Sequence, residues 1–293
     1  MILAPLRGVT IRSFREVFSD VIRAAGFVEA ITPFIPANRD YDPLKDRELR
    51  DRGSGIGDQG LRVTPQFIGK DPSALRACLE RVKAVGYETA DLNCGCPFPM
   101  VRNKGRGSGL LRTPDVFRQM MEVGCEVMGP NRFSVKARLG VDRNDELLKL
   151  MPLVNLFPLR FLTVHARTAR QMYDGVVDVG GLERVLKVAK VPVVVNGDIP
   201  FPVPPNLPNL PNLPNLPLML GRSFVRSLGC RDDIVPLLLK YIDVSQAELS
   251  GDLPVLGRMK ELIAYWKDLP RWRRQWSVIK ICRSVDELRT TLS

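Results

Sequence analysis

Val191-Pro192-Val193-Val194-Val195-Asn196-Gly197-Asp198 carries the strongest evidence for the architecture of this chain. Apart from the proline, its apolar residues are all β-branched, and no polar residue interrupts them. A continuous run of this kind suits a strand that is buried on both faces, as in a parallel sheet covered by helices. The run therefore predicts one strand of an α/β protein, with polar groups at its carboxyl end.

Seven similar apolar runs occur elsewhere, and helical spacing separates most of them. The eight predicted strands cover residues 2–6, 29–35, 63–69, 89–93, 132–139, 159–165, 191–195 and 216–220. The predicted helices cover residues 11–25, 72–85, 115–127, 144–156 (interrupted by Pro152) and 181–189. Eight such units predict a (β/α)₈ TIM barrel over residues 1–228. A doubly wound open sheet is the alternative, but no Gly-x-Gly-x-x-Gly motif follows the first strand.

One crossover departs from this pattern. Between the last two strands, Asn-Leu-Pro repeats over residues 206–217. Proline at every third position excludes an α-helix and favours polyproline II. The repeat either replaces the barrel helix, with its leucines packed on the barrel, or binds a partner, and we favour the first interpretation.

The character of the chain changes after Gly229. Helical spacing over residues 234–242, 255–266 and from 285 onward predicts a small α-helical domain covering 229–293. Basic and aromatic residues interleave in Arg271-Trp272-Arg273-Arg274-Gln275-Trp276. Arginines neutralise phosphates and aromatic rings stack on bases, so the segment predicts RNA binding. The alternative is a solvated helix whose tryptophans lie in the core.

Composition agrees with a nucleic-acid partner. The net charge is +11 and the pI about 9.6, which favours a polyanion, although simple solubility would also account for it. The six scattered cysteines predict reduced thiols, and no ligand spacing predicts a metal site. With no signal peptide or membrane-spanning run recognised, we expect a cytoplasmic protein without membrane contact.

In a barrel, functional groups lie at the carboxyl ends of the strands. The set found there is rich in amides, cations and glycines, and it lacks the paired carboxylates of a glycosidase. Glycines at the ends of the last two strands, with Arg222, predict a phosphate site, and Lys136 and Gln66 would flank a polar ring system. His165 is the only histidine of the chain and falls in the same set.

The fourth strand leads into Asp91-Leu92-Asn93-Cys94-Gly95-Cys96-Pro97. Gly95 lets the backbone bend, and Pro97 ends the ladder pairing. A thiol on such a loop can meet a ligand, but free cysteines are often small buried hydrophobic residues. Spacing alone does not choose between the two cysteines.

Several motifs, taken together, resemble those of the tRNA-dihydrouridine synthases. The similar segments follow one another along nearly the whole chain: 4–10, 91–97, 134–140, 164–168, 196–199 and 219–222. The resemblance implies an FMN-binding barrel with a helical tRNA-binding domain, in which NADPH or NADH reduces the flavin. It also implies reduction of the C5–C6 double bond of a uridine in the tRNA D-loop.

The resemblance assigns roles by position. Cys96 would be the proton donor. FMN would be held by Pro5, Leu6, Arg7, Gln66, Lys136, His165, Asn196, Gly197, Asp198, Gly221 and Arg222. The tRNA would be contacted by Asn93, Arg138, Arg167, Arg258, Lys260, Arg271, Arg273 and Arg274.

Residues 258–266 are somewhat similar to the subgroup that acts on U16, and no obligate protein partner is evident. Two other functions stay open. One is a small-molecule flavin oxidoreductase of the dihydroorotate-dehydrogenase kind, which the basic helical tail disfavours. The other is an RNA-binding relative whose catalysis is impaired by the altered crossover.

Overall fold

The computed structural model describes residues 1–49, 60–204 and 216–292, and a parallel sheet of short strands forms its centre. The strands are β1 (Ile2–Leu3), β2 (Glu29–Ile31), β3 (Ile35–Pro36), β4 (Arg62–Thr64), β5 (Gln66–Ile68), β6 (Ala90–Cys94), β7 (Phe133–Gly140), β8 (Leu162–Thr168), β9 (Val193–Asn196) and β10 (Leu218–Leu220). Their order in the sheet is β3-β5-β6-β7-β8-β9-β10-β1-β2-β4.

The two ends of this order meet along the chain, which closes the sheet. Only Pro65 separates β4 from β5, and a short loop separates β2 from β3. Proline has no N–H for the ladder, but its carbonyl still accepts a hydrogen bond from the Asp91 N–H at 2.9 Å. Each pair therefore acts as one interrupted strand. The sheet is an eight-stranded barrel, as the sequence predicts.

Helices cover the outside of the barrel and form the C-terminal region. They are α1 (Arg12–Val17), α2 (Ser19–Ala24), α3 (Pro72–Ala84), α4 (Pro99–Arg102), α5 (Pro114–Met128), α6 (Glu146–Val154), α7 (Val179–Val188), α8 (Arg222–Leu228), α9 (Ile234–Glu248), α10 (Asp252–Ile263), α11 (Pro270–Ile279) and α12 (Val285–Leu292). Two 3₁₀ turns lie at Gly107–Arg112 and Ala264–Trp266. Among the described residues, no helix is long and apolar enough to cross a membrane.

The boundaries differ from the prediction in a few places. The first predicted helix is two helices that meet at Phe18, and α6 contains Pro152 without ending there. The strand predicted over 159–165 is shifted, since β8 runs to Thr168. Residues 205–215, which hold most of the Asn-Leu-Pro repeat, lie outside the described residues, so both interpretations of that segment stay predictions.

The C-terminal helices share their hydrophobic core with the barrel. Trp266 and Trp272 are fully buried, and their indole N–H groups donate to the carbonyls of Val225 and Gly229, both at 2.7 Å. Buried indoles need such a partner. Base stacking is therefore wrong for Trp272, and both tryptophans are core residues that join the two parts of the chain.

Candidate functional site

A cavity of about 700 Å³ opens at the carboxyl ends of the barrel strands. Parallel strands deliver their last residues to one end of a barrel, so predicted residues far apart in sequence meet here. Those that line the cavity are Pro5, Leu6, Arg7, Gln66, Asn93, Cys96, Lys136, Arg138, His165, Arg167, Asn196, Gly197, Asp198, Gly221 and Arg222. Among the described residues, no cluster of side chains could hold a metal ion.

The loop that carries Cys96 is held by Asn93. The side-chain oxygen of Asn93 accepts hydrogen bonds from the N–H groups of Gly95 and Cys96, at 3.1 and 2.9 Å. Its amide nitrogen donates to the Gln66 side-chain oxygen at 2.8 Å. Asn93 therefore turns the backbone at the end of β6 and fixes the position of the thiol.

Asp91 anchors this network from inside the barrel. Its carboxylate accepts from the Gln66 amide at 2.7 Å and from the Ser134 hydroxyl at 2.6 Å. Burial raises the pKa of Asp91 to about 6, although the hydrogen bonds from Ser134 and Gln66 oppose the increase. Ser134 and Asp91 are absent from the predicted site because they lie beneath it and do not line the cavity.

The two neighbouring cysteines lie in different environments. Cys94 is fully buried in the hydrophobic core, whereas Cys96 lines the cavity. Burial raises the pKa of both thiols, and Asp91 raises that of Cys94 further. For Cys96, the backbone hydrogen bond at Phe98 and the charges of Arg138 and Arg7 oppose the increase. Cys96 is the thiol that a bound molecule can reach.

Lys136 stands on β7 beside the end of β9. Its ammonium donates to the Asn196 side-chain oxygen at 2.8 Å, and the Asn196 amide donates to the Met219 carbonyl at 2.8 Å. Burial and then the charge of Arg138 lower the pKa of Lys136 to about 7, while Asp91 opposes the change. Lys136 therefore loses its proton more readily than an exposed lysine does.

Arg138 braces the loops around the cavity. Its guanidinium donates to the carbonyls of Gly95, Thr168 and Met172 at 2.8, 2.9 and 2.6 Å. Its outer face lies 5.4 Å from the ring centroid of Tyr173. Burial lowers the pKa of Arg138 to about 10, so it remains a cation at neutral pH.

Arg167 is also a bracing residue. Its side chain is 1% exposed and donates to the carbonyls of Asp174 and Gly175 and to the carboxylate of Asp198. Asp198 also accepts from Arg222 at 2.8 Å. Arg167 therefore links the loops after β8 and β9. It also lines the cavity, and its contact with tRNA stays a prediction.

Burial and nearby cations keep His165 neutral, whereas nearby cations keep Asp198 ionised. Burial, followed by the charges of Arg138, Lys136 and Arg167, lowers the pKa of His165 well below its ordinary value, so the imidazole is neutral at pH 7. Desolvation raises the pKa of Asp198, but Arg167 and then Arg222 lower it by more, so this carboxylate is ionised.

The cavity also has lining residues that the sequence did not point to. They include Phe34, Tyr173, Arg226, Tyr265 and Lys267. Arg226 lies one helical turn after Arg222 on α8, a spacing that could have indicated it. Tyr265 enters from the 3₁₀ turn of the helical region, and its position depends on how that region packs.

Five predicted tRNA-binding residues of the helical region do not line the cavity: Arg258, Lys260, Arg271, Arg273 and Arg274. Arg258 is 13% exposed and donates to Ser13, Ser245 and Glu248, so the structure gives it an internal role. The Lys260 ammonium donates to the Cys282 carbonyl at 2.7 Å. Arg271, Arg273 and Arg274 are exposed, on a helix outside the cavity.

Comparison with known sequences agrees with the motifs. A family profile described as dihydrouridine synthase (Dus) matches residues 2–202. A Vibrio vulnificus protein named tRNA-dihydrouridine synthase B is 29% identical over 203 residues, or 69% of this chain, and the match spans 61% of that relative's length. A Yersinia pestis protein named tRNA-dihydrouridine(16) synthase is 28% identical over 285 residues, or 90% of this chain and 89% of the relative.

Comparison with solved structures supports the architecture alone. A morphinone reductase structure superimposes with a TM-score of 0.53 at 11% identity, covering 77% of this chain and 82% of the other. Another morphinone reductase structure, in complex with tetrahydroNAD, gives a TM-score of 0.51 at 12% identity, covering 77% and 83%. At such low identity the similarity concerns the shape of the barrel.

Proposed function

The chain belongs to the dihydrouridine synthase family, and from that membership we propose that it reduces the C5–C6 double bond of a uridine in tRNA. The observation that carries the proposal is the cavity that brings Cys96 together with Gln66, Lys136, Asn196 and the cations at the ends of β8 and β10. A thiol beside amides and cations suits a flavin and a uracil ring. The net charge of +11 suits a polyanionic substrate.

FMN fits the donors that line this cavity. Gly197 lines the cavity with a φ of 113°, and an added Cβ would lie 2.6 Å from the His165 ring, so only glycine fits against that imidazole. Arg222 and Arg226 supply positive charge for a phosphate at the end of β10. Gln66 and Lys136 would bind the polar edge of the flavin ring.

Held by these residues in its reduced form, FMN would supply the hydride for C6 of the uracil. Completing the reduction requires a proton at C5. Cys96 holds that proton, because burial raises the pKa of its thiol and keeps it protonated at neutral pH. Lys136 or a backbone N–H can stabilise negative charge on the uracil oxygen while the proton moves.

The finer assignments are part of the same proposal. NADPH or NADH is the reductant, the target lies in the D-loop with position 16 favoured, and the enzyme acts in the cytoplasm. Residues 1–228 form the catalytic barrel and 229–293 the tRNA-binding helical domain. The target base must leave its stack to enter the cavity, as base-modifying enzymes require.

The test uses the full chain with added FMN, NADPH and unmodified tRNA, and maps dihydrouridine by mass spectrometry. We expect dihydrouridine at one D-loop position and none without the reductant. Flavin binding with reduction of a free pyrimidine but not of tRNA would favour the small-molecule alternative. tRNA binding with no flavin band after FMN addition would favour a catalytically impaired RNA-binding relative.

A further inference from the structure

The loop after β6 presents a second surface beside the cavity mouth. We call it the loop surface, and it comprises Phe98, Met100, Lys104 and Arg106 with Lys70 from the loop after β5. Lys70 packs over Gly105, where an added Cβ would lie 3.4 Å from the lysine Cδ, so the two loops form one surface. Phe98 also lines the cavity, which makes the surface continuous with the site.

The apolar members of the loop surface are exposed next to each other. Phe98 is 46% exposed and Met100 82% exposed, although both follow the buried strand that carries the site. Apolar side chains left in water at the rim of a site indicate an interaction surface. An aromatic ring at this place can stack on a base without selecting its sequence.

The cationic members of the loop surface differ from other cations at the rim in their pairing. Within the described part of the chain, the side chains of Lys70, Lys104 and Arg106 form no ion pair. Neighbouring rim arginines differ in this respect, since Arg112 and Arg170 both pair with Asp142. Unpaired cations around an exposed ring suit a nucleic-acid strand, whose phosphates and bases match both kinds of group.

The loop surface is fixed relative to the reactive thiol. The hydroxyl of Ser108 donates to the Cys96 carbonyl at 2.8 Å. Gly107 has a φ of 57°, and an added Cβ would lie 2.8 Å from the Cys96 Cβ, so the loop folds back directly on that residue. A strand bound on this loop is therefore held at a set distance from Cys96.

We propose that the loop surface binds the tRNA strand next to the extruded uridine, with Phe98 stacking on a flanking base and Lys70, Lys104 and Arg106 contacting phosphates. This inference rests on the proposed function, because it assigns to the barrel a tRNA contact separate from the helical region. It makes the barrel itself responsible for presenting the uridine to Cys96.

The experiment measures equilibrium binding of unmodified tRNA to the FMN-loaded full chain at several salt concentrations. For the double variant Lys104→Ala/Arg106→Ala, the slope of log K against log salt should fall by roughly 0.7 for each phosphate that is no longer neutralised, with roughly tenfold weaker binding. Phe98→Ala should weaken binding roughly fivefold or more without changing the slope, because stacking involves no counterion.

Matched controls lie at the opposite end of the barrel. Lys187 and Lys190 are exposed at the end of α7, and Leu156 is 71% exposed after α6. Lys187→Ala/Lys190→Ala and Leu156→Ala should bind tRNA as the unchanged protein does. Flavin absorbance of each variant checks that the barrel is folded.

Affinity and salt slope that match the unchanged protein in both loop variants would overturn the inference, as would equal losses in the control variants. The inference and the proposed function fail separately. If the unchanged protein binds tRNA yet forms no dihydrouridine, the proposed function is wrong. The binding measurements on the loop variants would still test the loop surface. A chain with no measurable tRNA affinity would overturn both.

Discussion

Cys94 and Cys96 are two positions apart, yet burial separates their chemistry. The side chain of Cys94 packs in the hydrophobic core at the end of β6, while Cys96 follows the turn at Gly95 and reaches the cavity. Strand geometry alone would send both to the same face, because side chains alternate with a period of two. The hydrogen bonds from Gly95 and Cys96 to Asn93 break that alternation.

Cys96→Ala should reduce dihydrouridine formation by roughly 10²–10⁴-fold, which is the usual contribution of a positioned acid. Flavin content should be unchanged, since alanine keeps the backbone hydrogen bond from residue 96 to Asn93 that positions the loop. Single-turnover reduction of tRNA measures the effect. Cys94→Ala is the matched control and should keep nearly the full rate. A similar loss in both variants would indicate structural damage.

The pH dependence of the same step follows from the raised pKa of Cys96. A proton donor works below its pKa, so activity should persist through neutral pH and fall only as pH rises through the raised value. Rates measured from pH 6 to 10 check this. Activity that instead increases steadily to pH 10 would contradict a thiol donor.

Lys136 should make stability depend on pH. Its pKa of about 7 lies below the ordinary value for lysine, so at higher pH the unfolded chain binds a proton that the folded chain does not. Stability should therefore rise between pH 7 and about pH 10. Lys136→Met should remove this dependence in flavin-free protein and weaken FMN binding roughly tenfold or more.

Urea unfolding at pH 6 and pH 9 measures the first effect, and flavin titration the second. Lys187→Met, at an exposed position, is the control and should show neither change. The difference in stability between Lys136→Met and the unchanged protein could prove to be the same at both pH values. That result would show that folding does not lower the pKa of Lys136.

At the scale of elements, β6 depends on the buried carboxylate of Asp91. Its two acceptor bonds join β6 to Gln66 on β5 and to Ser134 on β7. Gln66 passes the connection to Asn93, which holds the Cys96 loop. Three adjacent strands are thus tied together beneath the cavity, and the network positions the loop that carries Cys96.

Asp91→Ala should lower the free energy of unfolding by about 2–4 kcal/mol, because two buried donors lose their acceptor. Asp91→Asn should cost less, since an amide can still accept from Gln66 and donate to the Ser134 hydroxyl. The pKa of about 6 implies that wild-type stability falls as pH rises from about 4 to 6, where the folded state binds more protons.

Urea unfolding at pH 4.5 and pH 7.5 tests both points. The Asn variant should gain stability relative to the unchanged protein as pH rises through that window. Ser277→Ala, a change at an exposed hydroxyl on α11, serves as a control for hydrogen-bond loss in water. A larger loss in Asp91→Asn than in Asp91→Ala would refute the network.

At the scale of the whole molecule, Glu248 ties the helical region to the barrel. Its carboxylate pairs with Arg12 of α1 and with Arg258 of α10, both at 2.7 Å. Arg258 also donates to Ser13, so three helices meet at one set of charges. Together with the buried tryptophans, this contact holds the helical region against the barrel and places Tyr265 at the cavity.

Glu248→Gln should lower the free energy of unfolding by about 1–3 kcal/mol, less than for a fully buried pair because the side chain is 23% exposed. The affinity for tRNA should fall while flavin binding stays unchanged. Chemical unfolding and tRNA titration measure these effects. Asp233→Asn, at an exposed pair with Arg231, is the control and should change stability by about 0–1 kcal/mol.

Removal of residues 230–293 should abolish activity on tRNA, but that loss alone would not identify a binding domain. The deletion also removes the side chains that cover Val225 and Gly229. We expect the truncated barrel to be less stable, with apolar surface exposed in place of the buried tryptophans. Substitutions on the exposed face of α11 test tRNA binding more directly.

The barrel and the composition of its rim follow from the order of residues along the chain. Continuous apolar strands that alternate with helices fit few folds other than a buried parallel sheet. In a parallel barrel the carboxyl ends of all strands lie at one end of the barrel, so the order of Cys96, Lys136 and His165 along the chain was enough to group them. The resemblance of the motifs then predicts the roles of these residues. Local patterns were enough to group these residues, because the direction of a parallel strand determines which end of the barrel its last residues reach.

Which polar groups are free depends instead on how the chain folds. Arg167 and Arg258 are cations in the sequence, but groups on other elements occupy part of their donors: Asp198 after β9 for Arg167, and Ser13 of α1 for Arg258. The sequence alone leaves base stacking open for Trp272, and only the structure shows that this side chain is buried. Burial and pairing depend on contacts between distant segments, which no local spacing encodes, so the loop surface beside Cys96 became visible only once the chain was folded.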